Sequence, residues 1–235
     1  MEVFCRQEIK YLLNAQQRQA LEQALPAHMV PDLFPHSSIR NIYYDTPDFR
    51  LIRRSLEHPI YKEKLRLRCY DDGAEEVFLE MKKKYKGIVY KRRLQLVQEQ
   101  AIAFMERRGD LPDCQIGREM VYFRDFYQTL QPQMFLSYQR DAWRGKHDPG
   151  LRLTLDEDIR YRTGQLHLQS DEGEAILAPG QCLMEVKAEH AIPLWLTQLL
   201  AQLQITKVSF SKYGQAYERE LRRKLQEKRG NVYVG

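Results

Sequence analysis

The chain has 235 residues, of which 43% are hydrophobic and 29% charged, and this balance excludes a disordered or a collagen-like protein. No run approaches the roughly 18 to 20 apolar residues that a membrane span needs, and the charged first residues lack a signal-peptide core, so we expect a cytoplasmic protein. The formal net charge of +5 indicates an anionic partner without naming it.

The predicted elements are short helices placed among strands. Asn14 and the Asp45-Thr46-Pro47 sequence are helix-start signals, and Pro26 is expected to end the first helix. Helices are expected at 14–25, 47–56, 99–108, 117–130, 192–204 and 214–228. Seven or eight strands are expected, at 3–11, 39–44, 62–70, 76–84, 88–97, 134–142, 150–156 and 182–188. The pattern predicts an α+β fold, and we interpret residues 1–235 as a single domain with an exposed loop at 168–181.

Four cysteines are far apart in the sequence, and none forms a Cys-x-x-Cys pair. They are Cys5, Cys69, Cys114 and Cys182. This spacing indicates neither a zinc site nor a disulfide framework, and it favours a reducing compartment.

Charged residues recur at every second position of the predicted strands. Lys64, Arg66 and Arg68 therefore share one strand face, and Leu65 and Leu67 lie on the other. The same alternation places Glu80 with Lys82, Lys91 with Arg93, Arg152 with Asp156, and Glu185 with Lys187. At the start of the chain Arg6, Glu8 and Lys10 share a face, and Tyr138 shares one with Arg140.

Two interpretations of these faces compete. The first is an ordinary sheet with a dry face and a solvated face. The second is a closed barrel of about eight strands with the charged faces turned inward, and the apolar segment 192–204 packed outside. Unpaired buried charge is costly, so such an interior would be a wet tunnel for a polyanion. Arginine suits phosphate by its bidentate geometry, and the few acids suit Mg²⁺ or Mn²⁺.

Nine motifs in order resemble the VTC domain, the polyphosphate polymerase domain of the triphosphate tunnel metalloenzyme or CYTH-like superfamily, in a stand-alone bacterial form. The match covers nearly the whole chain. The motifs are Arg6-x-Glu8-x-Lys10-Tyr11, Ile42-Tyr43-Tyr44-Asp45-Thr46, Lys64-x-Arg66-x-Arg68-x-Tyr70, Leu79-Glu80-x-Lys82, Val89-x-Lys91-x-Arg93, Ser137-Tyr138-x-Arg140, Leu151-Arg152-x-x-x-Asp156, Leu183-x-Glu185-Val186-Lys187 and Phe210-Ser211-Lys212-Tyr213.

The resemblance implies an eight-stranded antiparallel β-barrel tunnel with flanking helices, and it implies roles for particular residues. Catalytic roles fall on Arg66, Arg68, Lys82, Arg140, Arg152 and Glu185. Phosphate binding falls on those basic residues together with Lys10, Lys91, Arg93, Tyr138, Lys187, Ser211 and Lys212. The resemblance implies that Glu185 is a ligand of the metal, Mn²⁺ or Mg²⁺, and Glu8 is a second candidate ligand. Asp156 is interpreted as a hairpin or pairing residue and not as a ligand.

The implied reaction is transfer of the terminal phosphoryl group of ATP to a growing polyphosphate chain. Two alternatives stay open: a CYTH-type hydrolase of inorganic triphosphate or nucleotides, and a polyanion-binding module without turnover. CYTH hydrolases typically open with Glu-x-Glu-x-Lys, so Arg6 favours the polymerase. The expected ligands are ATP or inorganic triphosphate and polyphosphate. No nucleic acid is expected, and a separate membrane protein is a candidate partner.

Overall fold

A computed structural model describes residues 7–71, 75–189 and 191–232, and the strands dominate it. The strands are β1 (Gln7–Leu13), β2 (Met29–Asp45), β3 (Tyr61–Tyr70), β4 (Glu76–Tyr85), β5 (Ile88–Val97), β6 (Gln131–Gly145), β7 (Arg152–Arg162), β8 (Glu174–Ala175), β9 (Cys182–Ala188) and β10 (Lys207–Val208). The helices are α1 (Ala15–His28), α2 (Arg50–Leu56), α3 (Gln98–Met105), α4 (Gln115–Tyr127), α5 (Leu194–Gln202) and α6 (Lys212–Val232). None of these helices is long and apolar enough to span a membrane.

The strands form one sheet in the order β10-β1-β9-β7-β6-β2-β3-β4-β5, and β8 pairs with β7. Neighbouring strands are antiparallel where β1 meets β9 and β10, where β7 meets β9, and where β4 meets β3 and β5. The fold is thus sheet-rich and α+β, as predicted. The expectation of a closed eight-stranded barrel was wrong, because the sheet has ten strands and no pairing in the described residues joins β10 to β5.

Contacts divide the chain into two compact units, each assembled from separated segments. Unit 1 comprises 1–39, 137–160 and 177–210. Its core contains Leu21 of α1, Leu153 of β7, Met184 of β9 and Leu196 of α5, all fully buried. The predicted packing of the apolar segment 192–204 is thereby confirmed, since α5 covers the apolar strand face.

Unit 2 comprises 40–136, 161–176 and 211–235, and it has its own core. Leu65 and Leu79 from the sheet pack there with Phe104 of α3 and Phe123 of α4, each at most 2% exposed. Helices therefore cover the apolar face of β3, β4 and β5, and this leaves the charged residues on the opposite face.

Every helix differs from its predicted bounds by a few residues, and two of these differences have a clear physical cause. Asn14 caps α1 as expected, with reciprocal hydrogen bonds to Gln17, but the helix continues through Pro26 to His28. A proline near the end of a helix removes only one backbone donor, so the last turn persists. The second helix begins at Arg50 instead of residue 47, because Pro47 and Asp48 form a turn before it, closed by a hydrogen bond from the Phe49 backbone to the Thr46 carbonyl at 2.9 Å.

The strand predictions are confirmed in position, and β2, β6 and β7 are longer than predicted. The bounds of β5 and β9 match the prediction. The first ten residues of β2, which include Pro31 and Pro35, have the composition of a loop but are extended and paired. The short strands β8, within the predicted loop 168–181, and β10 were not predicted. The first residues of the predicted strand 3–11, including Arg6, lie outside the described chain.

Candidate functional site

Basic side chains gather around one buried carboxylate on the charged face of unit 2. Cross-strand register places Arg66 of β3 opposite Glu80 of β4, and Glu80 opposite Arg93 of β5. Glu80 is 2% exposed, although it lies on the face that carries the basic residues. We call Glu80 and its partners Arg66, Arg68, Lys91 and Arg93 the Glu80 cluster.

Both oxygens of Glu80 accept charge-assisted hydrogen bonds. Arg66 donates to Oε2 from Nε at 2.8 Å and from Nη2 at 2.6 Å. Arg93 Nε donates to Oε1 at 2.6 Å, and Lys91 Nζ lies 2.7 Å from the same oxygen. Arg68 Nε is 3.8 Å from Oε2. Four cations thus surround one anion, which leaves a surplus of positive charge on this face.

This environment keeps the Glu80 carboxylate ionised. Burial by itself raises the pKa of Glu80, but the charges of Arg66, Arg68 and Lys91 outweigh that effect and lower the pKa well below its ordinary value. The pKa of Lys91 is lowered, first by burial, although the charge of Glu80 opposes that shift. The cluster therefore stays positive overall across the physiological pH range.

Polar residues accept hydrogen bonds from the guanidinium groups of the three arginines. Arg66 Nη1 donates to the hydroxyl oxygen of Tyr43 at 3.0 Å, and Arg93 Nη2 donates to that of Tyr70 at 2.9 Å. Arg68 Nε donates to Oδ1 of Asn41 at 2.8 Å. Sequence reasoning assigned no site role to Tyr43, Tyr70 or Asn41. The alternation of strand residues could have suggested Tyr70, which lies two positions beyond Arg68.

The start of α6 adjoins this cluster. Tyr213 stacks on Tyr43 with ring centroids 4.4 Å apart, and its hydroxyl donates to Asp45 Oδ2 at 3.0 Å. Lys64 Nζ donates to Ser211 Oγ at 2.9 Å, and that oxygen in turn accepts from the Gly214 backbone at 3.1 Å. The predicted residues Ser211 and Lys212 thus lie beside basic residues of β3, while Lys64 was missed as a site residue.

The charge of Lys212 reaches the phenol of Tyr43. Burial raises the pKa of Tyr43, but the charges of Arg66 and Arg68, the hydrogen bond from Arg66 and the charge of Lys212 together lower it below the ordinary value. The hydrogen bond from Arg66 is thus one cause of the lowered pKa, and the same bond helps to hold Arg66 in place.

In unit 1, a lysine lies between two carboxylates. Lys10 Nζ is 3.4 Å from Glu185 Oε1 and 3.6 Å from Glu8 Oε1, and it donates to the Phe210 carbonyl at 3.0 Å. Lys10 is directly opposite Glu185 in the β1–β9 pair. Sequence reasoning considered a salt bridge from Glu185 to Lys187 or to an opposite arginine; it did not consider Lys10, which is one observed partner of Glu185.

A second pair in unit 1 joins β6 to β7. Arg140 Nε and Nη2 donate to the two oxygens of Asp156 at 2.6 and 2.7 Å, and Asp156 is fully buried. The Arg140 guanidinium lies 5.2 Å from the ring centroid of Tyr138. The interpretation of Asp156 as a pairing residue is confirmed, and Arg140 and Tyr138 are brought together as their spacing predicted.

Arg152 and Lys187 are neighbours across β7 and β9. Lys187 is also opposite Glu8 of β1, so these three residues form one row on the sheet. The Arg152 side chain is about half exposed and forms an ion pair with Asp32 of β2. Arg152 is therefore the more solvated of the two predicted arginines in this unit.

The carboxylates of unit 1 fit one mode of divalent-metal binding. Mg²⁺ commonly takes one or two carboxylates and completes its coordination with water and substrate phosphates. Glu185 and Glu8 flank Lys10 and could supply two such oxygens. No group of three His, Cys, Asp or Glu side chains in the described residues is placed to hold a metal ion, so phosphate would have to provide further ligands.

The predicted site residues fall into two groups, one in each unit. Unit 1 holds Glu8, Lys10, Tyr138, Arg140, Arg152, Glu185 and Lys187, and unit 2 holds Arg66, Arg68, Lys82, Lys91, Arg93, Ser211 and Lys212. Apart from Ser211 and Lys212 at the start of α6, these residues are on the strand faces that the alternation predicted to be charged. That both groups face one tunnel stays a prediction.

The fold is similar to that of several solved structures. A candidate adenylate cyclase from Bacillus halodurans has a TM-score of 0.56 at 18% identity, covering 87% of this chain and 92% of that one. A candidate adenylyl cyclase from Hippeastrum, described as having a dominant triphosphatase activity, has a TM-score of 0.54 at 18% identity, with 88% and 92% covered. A candidate adenylate cyclase from Vibrio parahaemolyticus has a TM-score of 0.52 at 13% identity, with 90% and 97% covered.

These comparisons place the chain first by fold and then by family. The fold is that of the adenylate cyclase and triphosphatase structures, since identities this low concern architecture alone. A search of curated protein sequences gives no match. The profile of the VTC domain family matches residues 5–220, which is nearly the whole chain. The chain therefore belongs to the VTC domain family.

Proposed function

We propose that this protein transfers the terminal phosphoryl group of ATP to the end of a polyphosphate chain. The observation that carries the proposal is the Glu80 cluster, in which four cations surround a single buried carboxylate. Such a surplus of fixed positive charge suits a substrate with several adjacent negative charges. Membership in the VTC domain family supports the same substrate class.

The proposed step needs charge neutralisation and alignment more than proton transfer. A terminal oxygen of the polyphosphate attacks the γ-phosphorus of ATP, the bond from that phosphorus to the bridging oxygen breaks, and ADP leaves. The attacking oxygen is already anionic, so no general base is required. Arg66, Arg68 and Arg93 bind the phosphate oxygens, while Glu80 holds Arg66 and Arg93 in fixed orientations through paired hydrogen bonds.

Residues of unit 1 supply the remaining charges. Lys10, Arg140, Arg152 and Lys187 bind phosphate oxygens in this proposal, and Asp156 orients Arg140. Glu185 and Glu8 would hold the divalent ion. That ion, Mg²⁺ or Mn²⁺, supplies Lewis-acid stabilisation of charge on the phosphoryl oxygens when it is bound.

A triphosphate hydrolase is the second candidate function. The Hippeastrum protein of similar fold is described as having a dominant triphosphatase activity. The same cations would then bind a triphosphate, and water would replace the polyphosphate end as the attacking group. The two reactions differ in their product, because only the transferase makes chains.

The test is incubation with ATP and Mn²⁺ or Mg²⁺, followed by gel separation of phosphate chains and an assay for free phosphate. We expect chains from the natural protein and at least about a hundredfold lower turnover from Arg66→Gln and Glu185→Gln. Arg92→Gln is the matched control, because Arg92 lies on the opposite face of β5 and pairs with Glu119. Free phosphate without chains would favour the hydrolase, and binding without turnover would exclude both enzymes.

A further inference from the structure

The register of β3, β4 and β5 arranges the basic residues in successive rows across the strands. One row contains Arg66, Glu80 and Arg93, and the next contains Lys64, Lys82 and Lys91. Every residue in these rows lies on the same face, since positions two apart along a strand point the same way. The second row thus places three lysines abreast with no acid among them.

A third row continues in the same direction. Lys62 of β3 is directly opposite Lys84 of β4, two residues closer to the turn that joins β4 to β5. Lys62 is half-buried and donates to the Ser55 carbonyl at 3.3 Å, and Lys84 is exposed. Within the described chain, neither lysine forms an ion pair with an acidic side chain.

The third row therefore holds positive charge that no acidic side chain among the described residues pairs with. The pKa of Lys62 is lowered by burial first and then by the charges of Lys84 and Lys82. Like charges placed opposite each other on a sheet are destabilising. The opposed pair Lys62 and Lys84 therefore lowers the stability of the fold, which favours a functional reason for its presence.

Protection of a sheet edge does not explain these lysines. Edge strands often carry lysine to prevent pairing with another chain. Lys62 and Lys84 lie on β3 and β4, and both strands have a neighbour on each side in the sheet. The edge strand is β5, which presents Val89 at the position opposite Lys84.

We propose that Lys62 and Lys84 form a binding subsite for the distal phosphates of a long polyphosphate whose near end lies at the Glu80 cluster. Four residues along a strand separate the Arg66 row from the Lys62 row, a span of about 13 Å. A long chain covers this span, and a triphosphate held at the Arg66 row does not. The inference rests on the proposed function, because it assumes that the Glu80 cluster binds phosphate.

The test compares two ligands on the double variant Lys62→Gln/Lys84→Gln. The ligands are inorganic triphosphate and long-chain polyphosphate, measured by calorimetry at several salt concentrations. We expect the affinity for the long chain to fall about tenfold, and its salt dependence to weaken by about 1.4 in log–log slope, since each lysine contacts one phosphate. The affinity for triphosphate should change by less than about twofold, because it does not reach the third row.

A matched control removes the same charge elsewhere. Lys83 lies on the opposite face of β4, 4.0 Å from Glu63, and Lys86 is in the β4–β5 turn. Lys83→Gln/Lys86→Gln should leave both affinities within about twofold of the natural protein, because neither side chain is in the three rows. An equal loss of long-chain affinity in both double variants would overturn the subsite, since the effect would then be general electrostatics.

Arg66→Gln separates failure of the subsite from failure of the proposed function. Loss of both affinities in Arg66→Gln, with no selective loss in Lys62→Gln/Lys84→Gln, would overturn the subsite and leave the phosphate site at the Glu80 cluster intact. Unchanged binding of both ligands in Arg66→Gln would overturn the proposed function, and with it the starting point of the subsite. Selective loss for the long chain in the lysine variant, with loss of both ligands in Arg66→Gln, supports the subsite.

Discussion

Glu80 combines a charge with almost complete burial, and its neighbours explain how this is tolerated. A buried carboxylate without partners is costly, but this one accepts hydrogen bonds from Arg66, Arg93 and Lys91. Those cations are partly exposed, so water still solvates their outer sides. Glu80 is therefore a positioning residue, which fixes the basic groups without contacting the reacting atoms.

Replacing Glu80 with glutamine should destabilise the protein by about 2 kcal/mol, because the cations lose the charge that holds them together. Urea denaturation followed by circular dichroism measures the change in the free energy of unfolding. Glu76→Gln is the control: Glu76 is on the same strand, is exposed, and accepts a hydrogen bond from Gln95 at 2.7 Å. If Glu80→Gln lowered the free energy of unfolding no more than Glu76→Gln does, the cations would not need a central anion.

The difference in the free energy of unfolding between the natural protein and Glu80→Gln should depend on pH in one direction. The pKa of Glu80 is lower in the folded protein than the ordinary value of 4.5. Its contribution to stability is therefore complete above that ordinary value and is lost as the pH falls toward the folded-state pKa. The stability gap between the natural protein and Glu80→Gln should stay constant from about pH 8 to pH 6 and shrink below about pH 4.5.

At the level of residues, the sequence predicted which face each charged side chain would take. A period of two suffices for Arg66, Arg68 and Glu185, because strand alternation needs no long-range information. It did not predict that Glu80 would be the centre of the unit 2 group, or that Lys10 would pair with Glu185. Those partners lie on different strands, and their meeting depends on sheet register.

At the scale of elements, α2 depends on a carboxylate that comes before its first residue. Asp45, at the end of β2, accepts hydrogen bonds from the backbone of Leu51 at 2.8 Å and Ile52 at 3.0 Å. It also accepts from the Thr46 backbone at 2.8 Å and from the Tyr213 hydroxyl at 3.0 Å. One buried side chain thus connects β2, the start of α2 and the start of α6.

Asp45→Ala should destabilise the protein by about 3 kcal/mol, because it leaves several buried donors unsatisfied. Hydrogen exchange read by NMR should show faster exchange at the Leu51 and Ile52 amides. Asp48→Ala is the control, since Asp48 is exposed and bonds only to the side chains of Thr46 and Arg53 among its described partners. Unchanged exchange at both amides would contradict the capping role.

The elements predicted best were those with strong alternation and clear turns. The β4–β5 hairpin has both, and its strands were placed within one residue. The first half of β2 has two prolines and little alternation, so its strand structure depends on tertiary pairing that local sequence does not encode. The two-residue strand β10 is too short to carry a periodic signal.

At the scale of the molecule, three strands run from one unit into the other. The unit boundaries fall within β2, β6 and β7. Sequence reasoning predicted the α+β class and the covering of apolar faces by helices, but it wrongly predicted closure into eight strands. Closure depends on which strands pair at the sheet ends, and the pattern within a strand does not determine that choice.

Because continuous strands belong to both units, we expect a single cooperative unfolding transition. Both tryptophans, Trp143 and Trp195, are in unit 1, so their fluorescence reports on that unit. Leu79→Ala removes a fully buried side chain of unit 2 and should lower the free energy of unfolding seen by tryptophan fluorescence by about 3 kcal/mol.

The exposed Leu225 of α6 is the control for this measurement, and Leu225→Ala should leave the transition nearly unchanged. A fluorescence transition that does not move in Leu79→Ala, while the far-ultraviolet circular dichroism transition does, would show that the units unfold separately.

The interleaved make-up of the two units also constrains how the protein is made in the cell. Neither unit occupies one uninterrupted stretch: unit 1 needs residues up to 210, and unit 2 needs the segment that begins at residue 211. A ribosome releases the chain from its amino end, so no complete unit exists until most of the polypeptide has been synthesised. Nascent β3, β4 and β5 therefore cannot complete their packing until the later segments of unit 2 have been synthesised. We expect chaperones to bind the unfinished chain during translation.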